Sequence, residues 1–158
     1  MKKTWKDVLL WAALAFAPAG CARPLSAPVR FVDAPQDYEV KVTPLDTESR
    51  FAIELVSHSS QDLCIGVDDW PNALGQISGG PERAKVFADG RTFPAADTNF
   101  GYCVGETCTL RIKPRQALKG MIGYKEFGEP REIAALNGKH LEYHVRPFIC
   151  TGSTSTTR

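Results

Sequence analysis

The sequence predicts an all-β domain: an antiparallel immunoglobulin-like sandwich of seven or eight short strands, braced by two disulfides. Three observations carry this expectation. From Tyr38 onward the apolar residues recur with period two, the period of a strand with one buried face. The alternating runs follow one another roughly every 8 to 12 residues, with Gly, Pro, Asn and Asp between them. Four cysteines, Cys64, Cys103, Cys108 and Cys150, fall within the same stretch. A small β-barrel is the alternative, because the same spacing suits both architectures.

The elements follow in order. Tyr38, Val40 and Val42 alternate with Glu39, Lys41 and Thr43. Phe51, Ile53 and Leu55 share one face of the next run, and Leu63, Ile65 and Val67 share one face of the third. The segment 68–82 (DDWPNALGQISGGPE) is the longest irregular stretch, and Gly79-Gly80-Pro81 breaks regular structure within it. A hairpin follows, with Asp89-Gly90 supplying the positive φ angles of a tight turn between 84–88 and 91–93. A second long loop covers 95–107. Leu110 and Ile112, then Leu118, Gly120, Ile122 and Tyr124, form two further alternating runs. Arg131 to Leu136 is a short helical turn, and Leu141, Tyr143 and Val145 make the last strand. Val29 to Val32 could add a short strand ahead of the domain.

The start of the chain fixes where the cysteines live. Lys2, Lys3 and Lys6 precede the apolar run 8–19 (VLLWAALAFAPA). That run is too short for a membrane-spanning helix, which needs about 20 apolar residues. It reads as a signal peptide over 1–20. Ala17-Pro18-Ala19 offers an ordinary small-residue cleavage site. Ala19-Gly20-Cys21, with Pro18 where an aliphatic residue is usual, resembles the end of the lipobox of bacterial lipoprotein precursors. The resemblance covers the leader alone. It implies that Cys21 is lipidated and leads the mature chain, anchoring it to the cell envelope facing the periplasm. Ordinary cleavage would leave a soluble periplasmic protein. Five cysteines are an odd number, and lipidation of Cys21 leaves four that can pair completely. Residues 21–36 form a tether with Pro24, Pro28 and Pro35, residues 37–150 the domain, and 151–158 (TGSTSTTR) a disordered tail.

Formal net charge is +1; the three leader lysines and Asp7 account for +2 of it, leaving about −1 for the rest. No basic run is present to track a phosphate backbone, which argues against nucleic-acid binding.

Four cysteines allow three pairings. Cys103–Cys108 closing a small loop and Cys64–Cys150 stapling a middle strand to the end of the last one is the preferred pairing. Their role reads as structural, because C-x4-C between strands lacks the C-x-x-C spacing beside a helix that suits redox work. Cys103 and Cys108 with His140 and His144 have the composition of a zinc site. In a strand, however, four residues span roughly 13 Å, too far for both imidazoles to reach one metal. No metal or other cofactor is therefore expected. Asp68, Asp69, Asp97 and Glu106 are loop carboxylates with no glycosidase or calcium-loop spacing. His58 beside Ser59 and Ser60 makes no nucleophile motif.

Trp70, Phe100 and Tyr102 sit in the two long loops. They are either contact residues for a partner or plugs for the open end of the sandwich. The expected function is a non-catalytic envelope lipoprotein, a binding or assembly module. It would be held to the membrane by its lipid and would meet an envelope protein or polymer through these loops. An inhibitor or immunity protein for an envelope-acting hydrolase is the alternative, with the Cys103–Cys108 loop as its insert. A small hydrolase using loop carboxylates is a third and weaker reading.

Overall fold

The computed structural model describes residues 28–99, Cys103 and 108–151. Cys21, Phe100, Tyr102 and Glu106 lie outside the described residues.

Strong alternation produces the strands. β1 (Tyr38–Leu45) pairs in register with β2 (Arg50–Ser57) through a single 3-10 turn at Asp46–Glu48. In β2 every second residue, from Phe51 to Ser57, is buried, the signature of a sheet with one face on a core. β7 (Ala117–Gly123) pairs on the other side of β2, giving the sheet β1-β2-β7. β3 (Leu63–Gly66) is central in a second sheet, between β6 (Thr109–Ile112) and β9 (Phe148–Ile149). β4 (Ala84–Ala88) is central in a third, between β5 (Arg91–Pro94) and β8 (His140–Tyr143). All the pairings are antiparallel. The domain is the antiparallel β-sandwich that the period-two pattern predicts, and the sheets do not close into a barrel.

The inner faces meet in one core built from Phe51, Ile53, Leu55, Leu63, Ile65, Val86, Ile112, Ile122 and Leu141. Phe51 lies edge-on to Tyr124 at 4.8 Å and to Phe127 at 6.0 Å between ring centroids. Aromatic pairs prefer this geometry, which sets the positive ring edge against the negative face. Tyr124 is fully buried, and its phenol donates to Asp46 Oδ1 at 2.6 Å. The Lys139 ammonium, on a side chain only 4% exposed, sits 3.2 Å from the same carboxylate oxygen. It also donates to the carbonyls of Ala134 and Leu136, at the end of the short helix α2 (Pro130–Ala135). A cation there satisfies carbonyls that the helix leaves without intrahelical donors.

Both disulfides form as preferred from the spacing: Cys64 with Cys150, 86 residues apart, and Cys103 with Cys108, five apart. Three local readings change. The segment after Gly79 is not irregular throughout: Gly79 and Gly80 take positive φ, and Pro81, near the helix start, opens the one-turn helix α1 (Gly80–Arg83). Pro is tolerated there because the first amides of a helix lack intrahelical acceptors. Among the described residues the strands number nine, the ninth being Phe148–Ile149, which pairs with Leu63 and Cys64 beside the long disulfide. The candidate strand at Val29 to Val32 is one bridge, Phe31 to Phe148. The chain engages the domain at this point: Val32 is buried and its amide donates to Pro147, while Arg30 accepts from Ile149.

Candidate functional site

The two long loops come together at one end of the sandwich. Trp70 ends a 3-10 turn at Val67–Asp69 and points inward, 6% exposed. Its indole occupies the room Gly120 leaves on the inner face of β7: a Cβ on Gly120 would lie 2.8 Å from Nε1 and 3.0 Å from Cε2. Tyr143 packs edge-on to the indole at 6.1 Å, and its phenol donates to the Asp69 carbonyl at 2.8 Å. Burial pushes the Tyr143 phenol well above its ordinary pKa, opposed by the Arg83 charge and helped to a smaller extent by the Asp69 carboxylate. Of the two roles the sequence leaves open for Trp70, contact residue or plug, its burial in the free protein fits the plug.

Pro71 is buried as well, and the chain then emerges for a short tip. Asn72 closes that tip. Its Oδ1 accepts from the amides of Leu74 (2.9 Å) and Gln76 (3.1 Å), its Nδ2 donates to Gln76 Oε1, and its own amide donates to the Gln76 carbonyl. Asn side chains favour such turns because they reach backbone amides two residues on. Gly75, at φ 71°, lets the chain turn back and accepts from the Gly123 amide on β7. Leu74 stands out on this tip, 73% exposed.

The polar half of the site lies beyond Trp70. Asp69 pairs with Arg83 of α1, whose other nitrogen donates to the His144 carbonyl at 3.0 Å. Asp68 accepts from the Cys103 amide through Oδ2 at 3.3 Å, and its carbonyl accepts from Ser78 at 2.6 Å. Asp97 packs against Gly80, where a Cβ would lie 3.2 Å from it. Asp68, Asp69, Ser78, Arg83, Asp97 and Thr98 face a cavity of about 350 Å³. Three of the four loop carboxylates singled out in the sequence are thus gathered here.

Sequence reasoning missed two residues that hold the loops in place. Arg83 is one. Glu126 is the other: buried, its Oε2 accepts from the Ile77 amide at 3.4 Å, and its carbonyl accepts from the Ala96 amide at 2.7 Å. A single residue after β7 therefore ties both long loops to the sandwich. A lone Glu in an ordinary charged stretch carries no signal of this role.

The remaining candidates stay apart. Cys103 and Cys108 are bonded to each other, so neither offers a thiolate. His140 stacks obliquely on Phe87, and His144 sits 2.8 Å from Glu142. Among the described residues no group of three or more His, Cys, Asp or Glu side chains is placed to hold a metal ion. His58 faces Glu39 at 3.8 Å, and Ser59 accepts from the Gln61 amide, a local turn rather than an activated hydroxyl. No family model, curated protein or solved structure matches this chain.

Proposed function

We propose that the domain is a non-catalytic binding or assembly module of the bacterial envelope, lipid-anchored through Cys21, which meets its partner with the loop end of the sandwich. One observation carries the reading. The loops are locked to each other before any partner arrives, by Asp68 on the Cys103 amide, Asp69 on Arg83, and Glu126 on Ile77 and Ala96. A surface held in this way loses little conformational freedom on binding, which favours affinity. Asp68 and Asp69 are engaged in this locking, which favours a scaffold over a hydrolytic pair. With Trp70 in the core, the contact falls to the exposed Leu74 tip and the rim of the Asp68–Asp97 cavity.

The second reading, an inhibitor or immunity protein, is favoured by the tip itself. A leucine held outward by its own asparagine clamp suits insertion into another protein's apolar cleft. The insert is then the 72–76 tip rather than the Cys103–Cys108 loop.

The test is affinity capture from an envelope fraction with the lipidated chain, its Leu74→Asp variant and its Asp68→Ala variant. Loss of the same captured species by either variant, with unchanged folding, supports the loop end. Retention of every species by both variants removes it. A tight 1:1 complex with an enzyme that loses activity selects the inhibitor reading. Labelled fatty acid incorporated equally by the natural chain and Cys21→Ser would refute the anchor.

A further inference from the structure

The longest strand edge among the described residues is open. β1 is marginal in its sheet and pairs with β2 alone. It runs eight residues in unbroken one-to-one register, so no bulge twists the edge away. Among the described residues, no backbone hydrogen bond joins 38–45 to anything beyond the β1–β2 ladder. The other margins differ. β7 is met at Gly123 by the Gly75 carbonyl. β5, β6 and β8 have four residues each, and β9 has two.

The side chains along this edge carry a pattern. Tyr38, Val40 and Val42 face the core and remain only half-buried. Glu39 and Lys41 face outward, with side chains 48% and 55% exposed. Val40 lies midway between two opposite charges.

We propose that a second copy of this chain pairs antiparallel with β1, with the two-fold axis at Val40, joining two three-stranded sheets into one of six strands. Setting Val40 opposite Val40 of the second copy sets Glu39 opposite its Lys41, and Lys41 opposite its Glu39. On the core side Tyr38 meets Val42 of the second copy. Opposite charges directly across a strand pair stabilise it, and like charges oppose it.

The same two residues select the register. Moving the axis to Glu39 sets two carboxylates against each other, and moving it to Lys41 sets two ammonium groups against each other. A one-residue slip of one strand turns its apolar side chains out of the core. A lysine in the middle of an edge strand ordinarily repels other strands. Here it repels all comers except one that brings a glutamate two positions away. A second copy does so by symmetry, as an isologous two-fold contact requires. None of these residues lines the Asp68–Asp97 cavity, so the inference stands independently of the loop-end reading.

The test is sedimentation velocity over a concentration series for the mature chain, Glu39→Lys, Lys41→Glu and an equimolar mixture of the two variants. The natural chain should dimerise with rising concentration. Each variant alone should associate about tenfold more weakly or worse, because both its cross-strand pairs become like-charged. The mixture should recover the dimer, because opposite signs face each other again. A natural chain that stays monomeric overturns the proposal. So does a dimer indifferent to both substitutions, or a mixture that fails to associate. Val40→Cys gives an independent readout: directly opposed Cα atoms lie about 4.5–5.5 Å apart, within reach of a disulfide. An oxidised cross-link between copies is expected, and its absence at concentrations where the natural chain dimerises would place the contact elsewhere.

Discussion

Gly120 and Trp70 form a size-matched pair, and substituting Gly120 tests whether the plug is seated as described. Gly120→Ala adds one methyl group where Nε1, Cε2 and Cζ2 of the indole already lie 2.8, 3.0 and 3.1 Å from the new atom. The indole is rigid, so it must shift as a whole. Overpacking of this kind costs about 1–3 kcal/mol. Gly120 does not occupy the left-handed region, so the backbone accepts Ala there. The lower entropy of the unfolded Ala chain returns about 0.4–1 kcal/mol, leaving a net loss of about 1–2 kcal/mol. Trp70→Ala empties the site and should cost about 3–5 kcal/mol. In that background Gly120→Ala should be neutral or stabilising, for a coupling within the 0.5–3 kcal/mol range of contacting residues. Urea titrations of the four proteins, followed by far-ultraviolet circular dichroism, measure it. Trp5 and Trp11 fall within the proposed leader, so in a chain beginning at Cys21 fluorescence reports Trp70 alone. The same Gly120→Ala penalty in both backgrounds would refute the packing, and a Trp70→Ala cost below about 1 kcal/mol would refute the burial.

Two further outcomes follow from other parts of the fold. Replacing Cys64 and Cys150 by Ser should cost about 4–5 kcal/mol in the chain-entropy account, and replacing Cys103 and Cys108 about 2 kcal/mol, since the closed segments differ from 86 to five residues in separation. Equal losses in chemical denaturation would refute that ranking. The phenols of Tyr124 and Tyr143 are both raised, chiefly by burial and, for Tyr124, next by its bond to Asp46. A raised folded value gives stabilisation that is complete below the unfolded value of about 10 and is lost as pH climbs above it. Denaturation midpoints should therefore fall between about pH 9.5 and 11. Tyr143→Phe should flatten that limb while costing about 1 kcal/mol at neutral pH through its bond to the Asp69 carbonyl. Parallel limbs for both proteins would refute the assignment.

The strands were legible because alternation is local: in β2 the six residues from Phe51 to Val56 announce both the element and its buried face. The cysteine pairing was legible because five residues of separation favour local closure and leave one long bridge. What escaped is non-local. The plug depends on Trp70 meeting a residue without a side chain 50 positions later, and nothing near Trp70 encodes Gly120. The burial of Glu126 depends on amides of Ile77 and Ala96 in two other loops. The helix α1 escaped because Gly79-Gly80-Pro81 carries two readings, a breaker within a loop or an N-terminus for a helix, and Ala84 onward had to form β4 before the second applied.

The order of the strands constrains how the molecule is made. Each central strand takes at least one neighbour from the C-terminal half: β2 takes β7, β3 takes β6 and β9, and β4 takes β8. A chain emerging N-terminus first therefore completes no sheet until its later half has appeared, and Cys64 waits for Cys150, the residue that follows β9. Distant pairing of this kind slows folding, because loop closure must precede the contacts that reward it. On the export route proposed above, that delay would keep the chain extended and passable. The β1–β2 hairpin needs no later segment to pair, and its β1 edge stays open once β7 has joined the sheet.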